Sequence, residues 1–433
     1  MKIVDNIYKK LEKSTENVNV ESAVGSFVQY LKKTANASIW FVVISLAFMV
    51  ITIAVLNMGM PGIVIKHVDF GNYREAAGLF ARGEFDLIYS EAYFNAQGFG
   101  PFRYFPMMLV FFVPFVLMPF EIAYILFTII NIVLVLYTHY LIVKIIVKLK
   151  LPAKTGFVQT TSLFFIFFVF EFLVQGQIVG ILIVILLNAM IKLIDGKDFQ
   201  AALLIGICTI FKPVTIILMS VLLISATRFK TVIKYVVGIL IPMVPDILFF
   251  TYNPIVFTRF IMINVSSLVK DKLEAPRCDM VDWLASLTGI PRFYFFLIIL
   301  VICVVLATRI IPKINDRVWK TVFTFGFSFA FYQASQPDMW GSQMLLIYPF
   351  VILAGTMITQ QNELFKYRSW FLGYQVLIYS CAGVFYIALS ISTEIHFIAI
   401  LLSILAMIST AGFIWSWLKP TIIFTMQPKN III

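Results

Sequence analysis

The chain has 433 residues, of which 61% are hydrophobic and only 13% charged, so it lacks the polar surface that a soluble protein of this length needs. Its net charge of +11 does not point to nucleic acid, because basic patches with interleaved aromatics are missing and Lys and Arg crowd the connections that the positive-inside rule keeps in the cytoplasm.

Apolar runs long enough to cross a bilayer recur along the chain and strand signals do not, so the expected fold is an all-α polytopic membrane protein. Cys208, Cys278, Cys303 and Cys381 have no metal-ligand spacing, and all but Cys278 fall in apolar runs. A disulfide framework or a zinc site is therefore not expected.

Residues 1–38 read as a cytoplasmic amphipathic segment. Ile3, Val4, Ile7, Tyr8 and Leu11 recur at helical spacing with Lys2, Lys9, Lys10 and Lys13 on other faces, the pattern of a helix lying on an anionic leaflet. Ile39 to Asn57 is the first permanent span, since the segment before it is too long for a signal peptide and no small-residue cleavage site follows. Residues 39–418 are expected to form a single transmembrane domain with outer loops at 58–120 and 251–292, followed by a cytoplasmic tail at 419–433.

The next strongly basic connection, Lys144 to Lys154, belongs in the cytoplasm. Two apolar stretches precede it, Phe102 to Pro119 and Glu121 to Val143, and if both crossed, the basic connection would lie outside. The first is short and carries Pro106, Pro114 and Pro119, so it is expected to lie along the outer surface or to dip in and return. Beyond it, Phe157 to Val174 runs out and Ile178 to Leu193 runs back to Asp195-Gly196-Lys197. The stretch Phe199 to Thr227 is broken at Lys212-Pro213 into two short helices that meet near the outer face. Thr231 to Phe250 exits with Asp246 near its outer end, Tyr252 to Arg292 is a second outer loop, and four or five more spans follow. Asn264-Val265-Ser266 in that loop is a glycosylation sequon, a frequent match. The expected total is about 12 transmembrane helices with both termini inside. The outer first loop would carry helices of its own beside the membrane.

This topology collects Asp69, Arg103, Glu171, Gln175, Gln177, Lys212, Asp246 and Asp338 near the outer face. Ionisable groups in spans are costly and mark function by default, although helix ends that snorkel to the headgroups give the same pattern.

The order Asp69-x-x-x-Tyr73, Gly83 to Leu87-x-Tyr89, Phe102-x-Tyr104-x-Pro106 and Pro114 resembles the GT-C membrane glycosyltransferases. It is closest to the polyprenyl-phosphate-mannose-dependent mannosyltransferases of the kind that extend phosphatidylinositol mannosides. Gly176-Gln177, the Lys212-Pro213 break with Arg228 after it, and Pro337-x-x-Trp340 carry the resemblance over roughly Lys66 to Ile358. Two departures stand out: Val179 where members often have Asn, and Ser342 and Gln343 where they often have His. Gln343 can exchange hydrogen bonds but cannot titrate near neutral pH.

The resemblance implies an inverting transfer of a hexose, mannose first, from a polyprenyl-phosphate donor to a lipid or lipid-linked glycan on the extracytoplasmic side of a cell membrane. Asp69 would be the general base, and Arg103 and Lys212 would hold the donor phosphate. Tyr73, Tyr89, Tyr104, Gln177, Trp340 and Gln343 would contact sugar or acceptor, with Glu171 and Asp246 as additional acidic candidates. No cofactor is required and no metal ligand is assigned, but a divalent ion bridging Asp69, Glu171 and Asp246 stays an open alternative. Other readings are a transporter or lipid flippase, which would place its key groups at mid-membrane and often show inverted repeats, a non-catalytic scaffold, or the same fold with an arabinose or glucose donor.

Overall fold

In the computed structural model, the described residues are 68–149, 176–215, 228–269 and 289–335, together with a few single residues such as Leu222 and Ala226. The expected N-terminal helix, the first span, the cytoplasmic tail, and the residues Glu171, Gln175, Asp338, Trp340 and Gln343 lie outside them.

The described part is helical. Val68–Arg82 forms α1, Phe85–Ile88 α2, Glu91–Ala96 α3 and Met108–Val116 α4. The longer helices are α5 (Phe120–Lys148), α6 (Val179–Ile194), α7 (Asp198–Phe211), α8 (Phe229–Tyr252), α9 (Pro254–Val269), α10 (Arg292–Ile310) and α11 (Arg317–Ser335). Short 3₁₀ turns at Pro213–Thr215 and Ile311–Lys313 follow α7 and α10.

Local chemistry sets many of the boundaries. Pro119 and Pro291 stand at the N-caps of α5 and α10, where a missing N–H costs nothing. After α6 the chain turns through Gly196 at φ 79°. The Lys197 N–H reaches the Lys192 carbonyl at 2.8 Å and the Gly196 N–H reaches that of Leu193 at 3.1 Å, the paired bonds of a Schellman stop.

Two described helices, α8 at 24 residues and Arg292–Lys313 at 22 residues, are long and apolar enough to cross a membrane. Their outward faces support that reading. Ile233, Val237, Leu240, Val244 and Ile247 form one exposed stripe along α8, and Leu297, Val301 and Val305 another along α10. Such stripes would sit in the core of a soluble protein; here they suit lipid.

The bundle has two chemically distinct ends. At one, the Lys148 ammonium pairs with Asp195 at 2.6 Å, joining the C-terminal ends of α5 and α6. Arg317, opening α11, donates to the Leu193 carbonyl at 2.7 Å and pairs with Asp198 at the start of α7. At the other end lie Asp69, the start of α5 around Phe120, and Gln177 just before α6. Helices α5 and α6 both run from the Asp69 end to the basic end, and α7 runs back to Lys212. α8 starts at the basic end again, so it lies parallel to α7.

Between α7 and α8 the backbones come close. Ala202 and Gly206 on α7 face Gly238 and Ile239 on α8, and a Cβ on Gly206 would stand 2.5 Å from the Ile239 carbonyl oxygen. Small residues at a helix crossing let backbones pack directly. Gly206→Ala is expected to cost ~1–3 kcal/mol through overpacking, seen as a lower unfolding midpoint of the purified protein; an unchanged midpoint would show that the two helices separate easily.

Helix α4 has only nine residues, about 14 Å of rise, which cannot cross a hydrocarbon core of about 30 Å. The stretch Phe102 to Pro119 therefore stays at the Asp69 end, as the prolines and the parity of basic connections lead one to expect. Both ends of α4 are tied down. The Asp246 Oδ1 of α8 accepts the Met107 N–H at its N-terminus, at 2.8 Å. Arg74 of α1 donates to the carbonyls of Phe115 and Met118 at its C-terminus, at 3.1 and 2.9 Å. A carboxylate at the positive end and a guanidinium at the negative end both complement the helix dipole.

The structure modifies two expectations. Asp69 sits in the first turn of a 15-residue helix, where its charge favours the free N–H groups, rather than in an irregular loop. The region after Tyr252 is not all loop, since α9 takes up 16 residues of it. Asn264 of the sequon lies within α9, and its Nδ2 donates to the Phe260 carbonyl at 2.9 Å.

Candidate active site

Asp69 owes its position to its neighbour Phe70, which is fully buried. The Phe70 ring packs against those of Phe112, Phe115, Phe120, Tyr124 and Phe127, with centroids 5.0–6.4 Å away. This aromatic cluster ties α1 to α4 and α5 and fixes where the carboxylate projects. Gly176 closes the other side at φ 70°, and a Cβ there would stand 2.6 Å from the Phe70 Cβ. Only glycine fits both that conformation and that space.

The next residue, Gln177, reaches the site. Its Nε2 donates to Asp69 Oδ2, and its Oε1 accepts from the Tyr73 hydroxyl at 3.3 Å. The Tyr73 hydroxyl in turn lies 3.2 Å from that of Tyr104. With the Tyr73 proton committed to Gln177, Tyr104 is the donor in that last bond. The hydrogen bonds then point one way, from Tyr104 through Tyr73 and Gln177 to the ionised form of Asp69. Asp69 Oδ1 has no hydrogen-bond partner among the described residues, which leaves a lone pair for an incoming hydroxyl.

Burial pushes the Asp69 carboxyl up to about 6, while the Lys212 charge and the Gln177 hydrogen bond pull it down. At neutral pH it is ionised yet a better proton acceptor than an ordinary Asp. Burial raises Tyr104 to about 12 and carries Tyr73 well above its usual value as well, so both stay neutral donors.

Lys212 is buried at the C-cap of α7. Thr215, through its N–H and its hydroxyl, bonds the Lys212 carbonyl at 3.0 and 2.9 Å. The Lys212 ammonium interacts electrostatically with Asp69, but no salt bridge joins the two among the described residues. Lys212→Met is expected to let the Asp69 pKa rise, because a positive charge that favours the carboxylate is gone. The acidic limb of a kcat/KM pH profile should then move to higher pH; a limb that stays in place would remove Lys212 from the surroundings of the base.

The remaining candidates fall in different places. Tyr73 and Tyr89 have buried rings, packed on Phe112 and Phe102, so neither presents an open face to a sugar. Tyr89 instead donates to the Tyr104 carbonyl at 2.6 Å and holds that segment in place. Tyr104 is partly exposed, and Arg103 beside it is exposed. Asp246 is fully buried; one oxygen holds Met107 and the other has no partner. The structure thus brings Asp69, Tyr73, Tyr104, Gln177 and Lys212 together and puts Asp246 at the end of α4. Arg74 and Phe70 are supporting residues that sequence reasoning missed, although a lone Arg four residues beyond Phe70 in an apolar chain was a signal. Among the described residues no cluster of His, Cys, Asp or Glu could hold a metal ion.

A membrane-embedded helical bundle with a half-buried carboxylate in a hydrogen-bonded polar cluster at one end has the design of a GT-C membrane glycosyltransferase. The chain belongs to glycosyltransferase family 87, a family of that type, whose model matches residues 102–324. It is a polytopic membrane enzyme that transfers a sugar from a donor to an acceptor. The matched stretch contains Arg103, Gln177, Lys212 and Asp246 and begins after Asp69 and Tyr73. No curated protein and no solved structure matches the chain.

Proposed function

We propose that this glycosyltransferase moves a hexose, mannose before other sugars, from a polyprenyl-phosphate donor to a hydroxyl of a lipid or lipid-linked glycan on the extracytoplasmic side. Family membership replaces the transporter and scaffold readings. The observation that carries the mechanism is the directed chain from Tyr104 to Asp69, which leaves Oδ1 open. The acceptor oxygen attacks the anomeric carbon while Asp69 takes its proton. The bond from that carbon to the phosphate oxygen breaks, and the lipid phosphate leaves with the electron pair. Inversion follows from a single displacement. Lys212, with Arg103 nearby in sequence to Tyr104, is suited to meet the charge on the departing phosphate. The extracytoplasmic assignment draws on the cluster of Lys148, Lys192 and Arg317 at the opposite end, which the positive-inside rule puts in the cytoplasm.

The test is transfer of label from polyprenyl-phosphate-mannose to membrane lipid extract by the purified protein, with the glucose and arabinose donors in parallel. Label in the lipid product with inverted anomeric configuration is expected. Transfer from another lipid-phosphate sugar alone would change the sugar, and none from any of the panel would sink the lipid-phosphate donor.

A further inference from the structure

At the basic end a cavity of about 280 Å³ opens between the C-terminal end of α6, the N-terminal turns of α7, α8 and α11, and the 3₁₀ turn after α10. It lies at the opposite end of the bundle from Asp69, so the transfer reaction does not use it. Apolar side chains such as Leu193, Leu222 and Ile314 line it together with Lys320, Tyr235 and the paired Asp198 and Arg317. We propose that this cavity binds a phosphate group, carried by an anionic lipid of that leaflet or by a small soluble phosphate.

The argument turns on which charges are already paired. Asp195 is held by Lys148, and Asp198 by Arg317. Asp316 caps α11 by accepting the Trp319 N–H at 2.9 Å. Each carboxylate described at this end is thus committed, and the half-buried Lys320 ammonium has no ion pair or hydrogen bond among the described residues. Tyr235 is 6% exposed, lines the cavity, and its hydroxyl likewise has no partner among the described residues. Thr321 and Thr324 have spent their protons on the carbonyls of Arg317 and Lys320, at 2.9 and 2.8 Å, so Lys320 and Tyr235 are the donors on offer.

The backbone adds to the same field. Arg228 gives α8 no side-chain cap, and the Phe229 and Lys230 N–H groups, at the positive end of the helix dipole, have no hydrogen-bond partner among the described residues. Asp198 and Arg317, in the first turns of α7 and α11, line the same space. A half-buried cation with no ion pair among the described residues, a spare hydroxyl donor and the uncapped N-terminus of α8 call for an anion. The volume suits a phosphate headgroup and is too small for a whole lipid. Basic pockets between spans at the cytoplasmic side suit anionic headgroups on general grounds.

The test uses the purified protein in maltoside micelles, titrated with radiolabelled phosphatidic acid and, separately, with inorganic phosphate. Saturable binding is expected in the wild type and in Asp69→Asn. Lys320→Gln and Tyr235→Phe should each weaken it about tenfold, the weight of one charge-assisted hydrogen bond, with unfolding midpoints unchanged in maltoside alone. Binding of phosphatidic acid only identifies a lipid ligand, and equal competition by inorganic phosphate identifies a soluble one. Undiminished binding in both variants, loss of binding in Asp69→Asn, or no binding of either probe overturns the proposal.

Discussion

Asp69→Asn should lower sugar transfer by about 10²–10⁴-fold, the usual weight of a positioned general base, while leaving the protein folded. The Asn side-chain oxygen still accepts the Gln177 bond, so the chain of donors from Tyr104 survives, but the residue can no longer take a proton. The variant also separates catalysis from stability. Burial holds the Asp69 carboxyl at about 6 against an ordinary 3.8, so the folded state favours the protonated form. The sign follows: Asp69 costs nothing below pH 4, and stability falls as pH rises through the interval from about 4 to about 6. At pH 7.5 the Asn variant should therefore unfold at the same temperature as the wild type or higher. An inactive variant with a depressed midpoint would point to structural damage, and an active one would move the base to another residue.

Gly176→Ala is expected to have the second largest effect, although residue 176 touches no substrate in the proposed reaction. The added Cβ meets the Phe70 Cβ at 2.6 Å and the Phe70 backbone nitrogen at 3.3 Å. The positive φ adds ~1–2 kcal/mol of strain for any L side chain. Neither side can yield easily, since Phe70 is locked among five aromatic rings and the next residue is Gln177. The clash falls on the two residues that flank the Asp69–Gln177 bond and should part them. Misplacement on the order of 1 Å near reacting groups costs about 10²-fold in rate, so transfer should drop by that order. The pH profile should change as well: without the Gln177 bond the Asp69 pKa rises, and the acidic limb shifts upward. A variant with normal rate and an unmoved limb would show that α1 can slide without disturbing the base.

The parts of this arrangement that sequence made legible are those that depend on local chemistry. Pro106, Pro114 and Pro119, with the basic residues after Val143, were enough to keep Phe102 to Pro119 from crossing. Lys212-Pro213 announced the end of α7, and the Gly176-Gln177 pair marked the turn that meets Asp69. Contacts over long separations carried no such signal. Gln177 stands 108 residues from Asp69, and Asp246 stands 139 residues from Met107. Nothing in either local sequence says which residue a carboxylate will meet. Asp246 shows the cost of this: an acid directly after Pro245 in an apolar helix reads as a site candidate, and nothing local says that it holds the end of a neighbouring helix. Tyr89 is similar, because an aromatic residue in an outer loop suggests a sugar platform, but the ring is needed for packing and only the hydroxyl remains.

On the proposed function, the unequal lengths of the central helices would set the depth of the reaction. With 16 residues in α6 and 14 in α7, these helices rise about 24 and 21 Å, while the 24 residues of α8 rise about 36 Å. All three have an end in the same basic layer. Under the proposed topology, in a hydrocarbon core about 30 Å thick, Gln177 and Lys212 would stop short of the far headgroup plane while α8 would pass through it, and Asp69 would lie below the lipid phosphates. On the proposed reading, a donor carried on a lipid can slide in from the side without leaving the bilayer, and its phosphate sheds water as it descends toward Lys212. A water-soluble sugar nucleotide would have to give up far more hydration to reach the same depth. The same depth would keep free water, the competing acceptor that would waste the donor, scarce.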